Sequence, residues 1–233
     1  MHAGGRAGGV LATLVMSALL AQCANPPQPP PVAPSTSVAA PTPAAPAPQV
    51  HPVTAAELGA SWHVGCPVGP DQLRRVELTY EGLDGAPHRG QLIVHRDLVG
   101  EVQQVFAELY RLHFPIAKML PPQNYPGAQD ELSMEDDNTS AFNCRGIPGS
   151  SSWSQHAYGR AVDVNPLLNP SVHQDGWLEP STAERYRERA RTDPGLLHDG
   201  DAAVRVFTDR GWTWGGQWRN PKDYQHFELP APG

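Results

Sequence analysis

The sequence has no run of basic residues, and its 233 residues carry a formal charge of −7. Nucleic-acid binding needs a clustered positive footprint, so this composition argues against it. No apolar stretch is long enough for a comfortable membrane span; the longest candidate, residues 10–21, falls short of one. No internal repeat is visible, and the strand and helix patterns do not alternate in the βαβ rhythm of parallel-sheet proteins. With only three cysteines, at most one intrachain disulfide can form. Residues 24 to about 53 contain no Asp, Glu, Lys or Arg. Such a segment cannot bury enough apolar surface to offset the entropy of ordering it.

What is present begins with an export signal over residues 1–23: Arg6 supplies a positive start and residues 10–21 the apolar run. The sequence Leu20-Ala21-Gln22-Cys23 resembles the lipidation site of bacterial lipoproteins, although Gln22 stands where a small residue is usual. A lipid on Cys23 would tether the mature protein to a membrane; ordinary cleavage near the same point would release it. Residues 24–56 then read as a disordered Pro-rich linker. Its prolines favour extended polyproline conformations that reach on the order of 90 Å at ~3.1 Å per residue. Residues 57–233 remain as one domain, large enough for a proper core. Setting Cys23 aside, Cys66 and Cys144 read as one disulfide in an exported protein, the alternative being two separate buried thiols.

Within the domain, residues 74–80 and 90–95 alternate in the strand period around a turn-rich segment, which predicts a β-hairpin. Asp97 is the expected cap of a helix reaching about His113, with Leu98, Val102, Val105, Phe106, Leu109 and Leu112 on one face. A short strand is expected within residues 116–120. Residues 123–150 are polar, Gly-rich and without period, which predicts a long functional loop. Its acidic residues, Asp130, Glu131, Glu135, Asp136 and Asp137, read as a solvated face rather than a second metal site. Helices are expected over residues 184–190 and 202–210, and a last strand over 226–229. The mixture implies an α+β fold with a central antiparallel sheet flanked by helices.

Two short segments carry the chemistry: Ser154-Gln155-His156-Ala157-Tyr158-Gly159-Arg160-Ala161-Val162-Asp163 and Asp223-Tyr224-Gln225-His226-Phe227-Glu228. A catalytic zinc ion keeps three protein ligands and leaves its fourth position open. His156, Asp163 and His226 are the ligand candidates for one such ion. On a strand, Val162 and Val164 would face the core and Asp163 a cleft. Gly159 would let the chain turn between His156 and Asp163. Asp223, three residues before His226, is placed to act as general base and then acid. Arg145 is the candidate cation for an oxyanion or a substrate carboxylate, and Ser154 for the substrate backbone. The other histidines read as surface or satisfied core residues. Trp212, Trp214 and Trp218 read as core and cleft wall rather than a sugar platform.

The pattern Ser-x-His-x-x-Gly-x-Ala-x-Asp followed by Asp-x-x-His-Phe-Glu resembles the zinc peptidases of bacterial cell walls. That family includes D-alanyl-D-alanine carboxypeptidases and dipeptidases and the L-alanyl-D-glutamate endopeptidases of phage lysins. Residues 138–145, the exit Asp163-Val164-Asn165-Pro166 and the Trp/Gly run at 211–216 extend the likeness to roughly residues 90–230. The resemblance implies a hedgehog/DD-peptidase-like domain. It implies His156, Asp163 and His226 as zinc ligands, Asp223 as base, and Arg145 and Ser154 as substrate-binding positions. Many relatives carry Glu at the base position, so Asp223 points toward the L-alanyl-D-glutamate branch. The partners so implied are peptidoglycan stem peptides, acted on by a monomer. The ligand set also resembles the signalling domain of hedgehog proteins, which leaves a non-catalytic zinc-containing binding domain as the alternative.

Overall fold

The computed structural model describes residues 49–230. The export signal, Cys23 and most of the linker lie outside the described residues. Residues 49–56, expected to end that linker, are instead part of the domain. Strand β1 (Gln49–Pro52) pairs antiparallel with β2 (Leu73–Glu81), Val50 opposite Val76. The short helix α1 (Ala55–Leu58) is fixed by a capping box: the Thr54 N–H donates to Glu57 Oε2 at 2.8 Å and the Glu57 N–H to Thr54 Oγ1 at 3.3 Å. Val53 and Leu58 are buried, so this segment has anchors that its proline content hid.

The expected hairpin is present. Strand β2 and strand β3 (Pro87–His95) pair along their whole length, from Leu73 opposite His95 to Glu81 opposite Pro87. Their inner face meets helix α2 (Val99–Arg111), which buries Val102, Val105, Phe106 and Leu109. The helix starts later than expected because a 3-10 turn, Arg96–Leu98, precedes it. His95 caps that 3-10 turn, its Nδ1 accepting from the Asp97 N–H at 3.3 Å, and α2 itself begins after Leu98 with no side-chain cap, so the Asp97 side chain caps neither.

Strand β4 (Lys118–Met119) pairs in parallel with β5 (Asn138–Thr139), and helix α3 (Asp130–Glu135) lies between them in sequence. The predicted loop of residues 123–150 therefore holds ordered elements. Polar ties rather than an apolar stripe organise it. Asn138 Oδ1 accepts from the Leu120 N–H at 2.7 Å, and its Nδ2 donates to the Leu120 carbonyl at 2.9 Å. The acidic cluster is also not one solvated face: Asp137 is buried and accepts from the Leu167 and Leu168 N–H groups.

The remaining elements are short: β6 (Ala161–Asp163), β7 (Ser171–Val172), β8 (Leu178–Glu179), α4 (Ala202–Thr208), β9 (Thr213–Trp214), β10 (Lys222–Asp223) and β11 (His226–Glu228). Residues 184–190 form no helix beyond a 3-10 turn at Ala183–Tyr186. Helices and antiparallel sheets are mixed, as an α+β class requires. The single central sheet, however, is replaced by three small ones, ordered β1-β2-β3, β10-β7-β8 and β6-β11-β9, beside the β4-β5 pair.

The main core joins the hairpin and α2 to α4 and the β6-β11-β9 sheet, with Phe207 stacked on Phe227 at 3.9 Å between ring centres. A second cluster of Leu58, Leu73, Ile93 and Phe142 surrounds the Cys66–Cys144 disulfide. Among the described residues, no helix is long and apolar enough to cross a membrane.

Candidate metal centre

The 3-10 turn Gln155–Tyr158 carries His156. The Ser154 hydroxyl oxygen accepts the His156 N–H at 3.3 Å, so this serine shapes the turn as well as lining the cleft beside it. Gly159 ends the turn at φ 66°, ψ 28°. A Cβ there would lie 2.6 Å from the backbone nitrogen of His95, so glycine alone lets the turn rest on β3. The chain then enters β6. Its partner β11 sets Asp163 opposite His226 and Val162 opposite Phe227. The pleat sends the two apolar side chains to the core and the two polar ones to the other face.

Three donor groups converge there. His156 Nε2 lies 3.1 Å from His226 Nδ1 and 3.1 Å from Asp163 Oδ2, and His226 Nδ1 lies 3.0 Å from Asp163 Oδ1. The outer nitrogens are both engaged. His156 Nδ1 donates to the Ala141 carbonyl at 2.5 Å, and His226 Nε2 donates to Glu228 Oε2 at 3.2 Å. These outer bonds leave lone pairs on both inner nitrogens, the arrangement that orients histidine toward a metal.

Whether a cation fits can be tested on these contacts. A single proton shared among the inner atoms could satisfy His226 and one neighbour. With the proton on His226 the 3.1 Å contact of His156 Nε2 with Asp163 Oδ2 is left as acceptor against acceptor, and with it on His156 the 3.0 Å contact of His226 Nδ1 with Asp163 Oδ1 is. A central cation satisfies all three. A tetrahedral ion with bonds near 2.0–2.1 Å spaces its ligand atoms by roughly 3.3 Å, close to the spacing found here. Two imidazoles and a carboxylate are also the donor types of catalytic zinc.

The protein's own groups make this a site of opposed charges. Burial works against the charge of His226, but its bonds to Asp163 and Glu228 outweigh that and push it up to about 10. Burial raises Asp163, and the two histidines more than reverse it, holding the carboxyl below its ordinary range. A cation would take the place of the proton that His226 otherwise holds.

The centre opens into a cleft of about 420 Å³ whose walls include Arg145, Trp153, His173, Glu179 and Trp218. Asp223 reaches it from β10, which is held by the pairing of Asp223 with Ser171 on β7. Its Oδ1 is buried without a hydrogen-bond partner. Burial pushes the Asp223 carboxyl up to about 7; His226 and Arg145 pull against that, while Asp163 and Glu179 add to it. Arg145 also lines the cleft, but it is already paired with Asp130 Oδ2 at 2.7 Å. Trp212 and Trp214 are core residues, whereas Trp218 stands in the cleft wall with its ring centre 5.2 Å from that of His226.

Three contributors have roles that the sequence pattern does not assign. The strand period puts Glu228 on the His226 side, and the structure adds the bond by which it fixes that ring. Asp130 neutralises Arg145 across a turn of chain that carries no pattern. His173, read as an ordinary histidine, lies in the cleft wall 3.3 Å from Glu179 Oε2, at the end of the β7–β8 hairpin.

Residues 148–229 match the family model described as D-alanyl-D-alanine carboxypeptidase. The matched segment includes His156, Asp163, Asp223 and His226 and leaves out Arg145 and Cys144. Comparison with curated proteins and with solved structures gives no match. Over residues 148–229, then, the chain is similar to a family of peptidases.

Proposed function

We propose that this protein is a zinc-dependent peptidase that hydrolyses peptidoglycan stem peptides at an amide bond involving a D-amino acid. The observation that carries the reading is the convergence of His156 Nε2, His226 Nδ1 and the Asp163 carboxylate, each imidazole fixed from outside, within the segment similar to the peptidase family. His156, Asp163 and His226 would hold the ion. When bound, zinc polarises the substrate carbonyl and makes the attacking water more acidic.

The other residues act as follows. Asp223 takes the proton of the attacking water and returns it to the leaving amine. Its unpartnered oxygen is free for that bond. A cation held at the centre would pull its pKa below the value set by the protein groups alone, which favours the ionised carboxylate that a base requires. Arg145 meets a substrate carboxylate or developing oxyanion with donors left over from its Asp130 pair. Trp153 and Trp218 wall the cleft against water. Export by residues 1–23, tethering through a lipid on Cys23 or release without it, and action as a monomer belong to the same proposal and rest on the sequence.

The test is mass spectrometry of purified muropeptides incubated with the protein, with and without chelator. Loss of a terminal D-alanine marks a carboxypeptidase, and cleavage between L-alanine and D-glutamate an endopeptidase. Asp223→Ala should lower turnover by about 10²–10⁴-fold while zinc stays bound. Arg145→Ala should damage release of a terminal residue more than internal cleavage. No product under any condition would leave the non-catalytic binding domain as the better reading, and full activity in Asp223→Ala would remove Asp223 as the base.

A further inference from the structure

A second group of metal-ligating atoms lies outside the cleft. His63, Cys66 and Cys144 bring one donor atom each to within 4.8 Å of one another. Cys66 and Cys144 are joined by the disulfide, and His63 Nε2 lies 3.6 Å from Cys144 Sγ. A histidine near a disulfide is common, and proximity alone would carry nothing.

The surrounding bonds say more. His63 Nδ1 donates to the Val64 carbonyl at 3.0 Å, which fixes the tautomer and leaves the Nε2 lone pair facing the sulfur. The segment His63-Val64-Gly65-Cys66 is a closed turn: the Cys66 N–H donates to the His63 carbonyl at 3.1 Å. Gly65 takes φ 102°, a conformation that side chains disfavour. The His63 N–H points at Cys66 Sγ at 3.2 Å, a contact that stabilises a thiolate. Two ligating residues separated by two others on a Gly turn is the spacing of a zinc-binding loop. The third donor is anchored too, since the Cys144 N–H donates to the Ser61 carbonyl at 3.0 Å.

We propose that, when the Cys66–Cys144 disulfide is reduced, His63, Cys66 and Cys144 form a second metal centre that holds one zinc-like divalent cation in place of the bridge. Reduction by an external thiol delivers two electrons and two protons: the S–S bond breaks, two thiols form, and the donor thiols leave as their own disulfide. The cation then binds two thiolates and one imidazole and displaces the two thiol protons. Metal–sulfur bonds near 2.3 Å ask the sulfurs to stand roughly 3.8 Å apart, a separation that side-chain rotation provides once the bridge is broken. The disulfide and the cation exclude each other, so the site reports the redox state of its surroundings.

The experiment uses the full chain, stripped of metal, and cadmium as the probe. Reduced protein should bind two equivalents, one of them with thiolate-to-cadmium charge-transfer absorption. Oxidised protein should bind one, without that band. His156→Ala/His226→Ala should lose the silent ion and keep the band, which separates this site from the peptidase centre. His63→Ala in the reduced state should weaken the band-giving ion by at least the ten- to hundredfold that loss of an outer partner costs. Cadmium should also raise the melting temperature of the reduced chain, because it binds the folded site, and His63→Ala should blunt that rise. A reduced chain with no thiolate band overturns the proposal. So does a band that is equally strong, with an equal thermal shift, in His63→Ala, since two thiolates of a loosened chain would then suffice.

Discussion

Residues 49–120 and residues 121–230 are built by different means. The first segment contains two nine-residue strands and a thirteen-residue helix, and its only buried polar residues among those described are Ser61 and His95. The second has no described strand longer than three residues, yet it buries Asn138, Asn165, Asn169, Asp163, His156 and His226 among others. Where regular ladders are absent, backbone N–H and C=O groups still need partners, and side chains supply them. The regular half makes a platform. The irregular half, held by amides and carboxylates, places the donors. Changes that separate the two modes should therefore differ in kind as well as in size.

The largest expected effect is at Asn165. Its Oδ1 accepts from the Ala117 N–H, and its Nδ2 donates to the carbonyls of Pro115 and Gly195, all within 3.1 Å. It also sits at φ 46°, where Asn is tolerated better than most residues. Asn165→Ala leaves the Ala117 N–H and the Pro115 carbonyl without these partners and takes one of two donors from the Gly195 carbonyl, which keeps Asn169 Nδ2, so we expect a loss of about 4 kcal/mol in urea unfolding. Because residue 165 lies two places beyond Asp163, zinc affinity should fall with it. A loss below about 1 kcal/mol would show that the amide ties are incidental.

The matching change in the platform is Leu109→Ala. Leu109 is 1% exposed in the main core. Removing its side chain should cost about 3 kcal/mol through lost burial and a cavity. Zinc affinity, measured by competition with a chromophoric chelator below the unfolding range, should stay at the wild-type value. If Leu109→Ala weakened zinc as much as Asn165→Ala, the division of labour between the halves would be wrong.

The same division explains what the sequence reveals. The hairpin and α2 announce themselves through period, because one face of each is buried in hydrocarbon. Strands β6 and β11 are legible for a related reason: Val162 and Phe227 mark the core face, and Asp163 and His226 must then share the other. Helix α3, the parallel β4-β5 pair and the position of Asp137 are not legible. They depend on bonds between residues about 18 to 31 positions apart, such as Asn138 with Leu120 and Asp137 with Leu168, and no local pattern encodes these. The linker boundary is hard to read because prolines run into residues 49–56, and only the Thr54–Glu57 capping box and the pairing of β1 with β2 tie that stretch to the domain. Arg145 was found as a cation, but its Asp130 partner could be seen only in three dimensions.

Glu228 tests how far the outer bonds of the centre matter. Its carboxylate accepts from His226 Nε2 and is no part of the inner triangle. Glu228→Ala should weaken zinc by about 10- to 100-fold with little change in unfolding free energy. Glu228→Gln, which keeps an acceptor oxygen, should recover part of the loss. An unchanged affinity in both variants would mean that β11 alone fixes the ring of His226.

The smallest effect runs the other way, toward greater stability. Asp137 is 8% exposed, and burial pushes its carboxyl from 3.8 up to about 6, against the Leu167 and Leu168 N–H groups that favour its charge. Between those two values the folded chain binds more protons than the unfolded chain. Stability linked to Asp137 is therefore full below the unfolded value, declines as pH rises through the folded one, and stays low above it. Asparagine keeps an acceptor for both N–H groups, carries no charge, and tolerates the φ of 51° found here. Asp137→Asn should then gain about 1–2 kcal/mol near pH 8, less than the full shift implies because a neutral acceptor makes weaker bonds. The gain should shrink as pH falls through 6 and vanish below the unfolded carboxyl's range, read from urea midpoints across pH. Destabilisation near pH 8 would mean instead that the charge itself holds the Leu167–Leu168 turn, and that the irregular half depends on ionised as well as neutral ties.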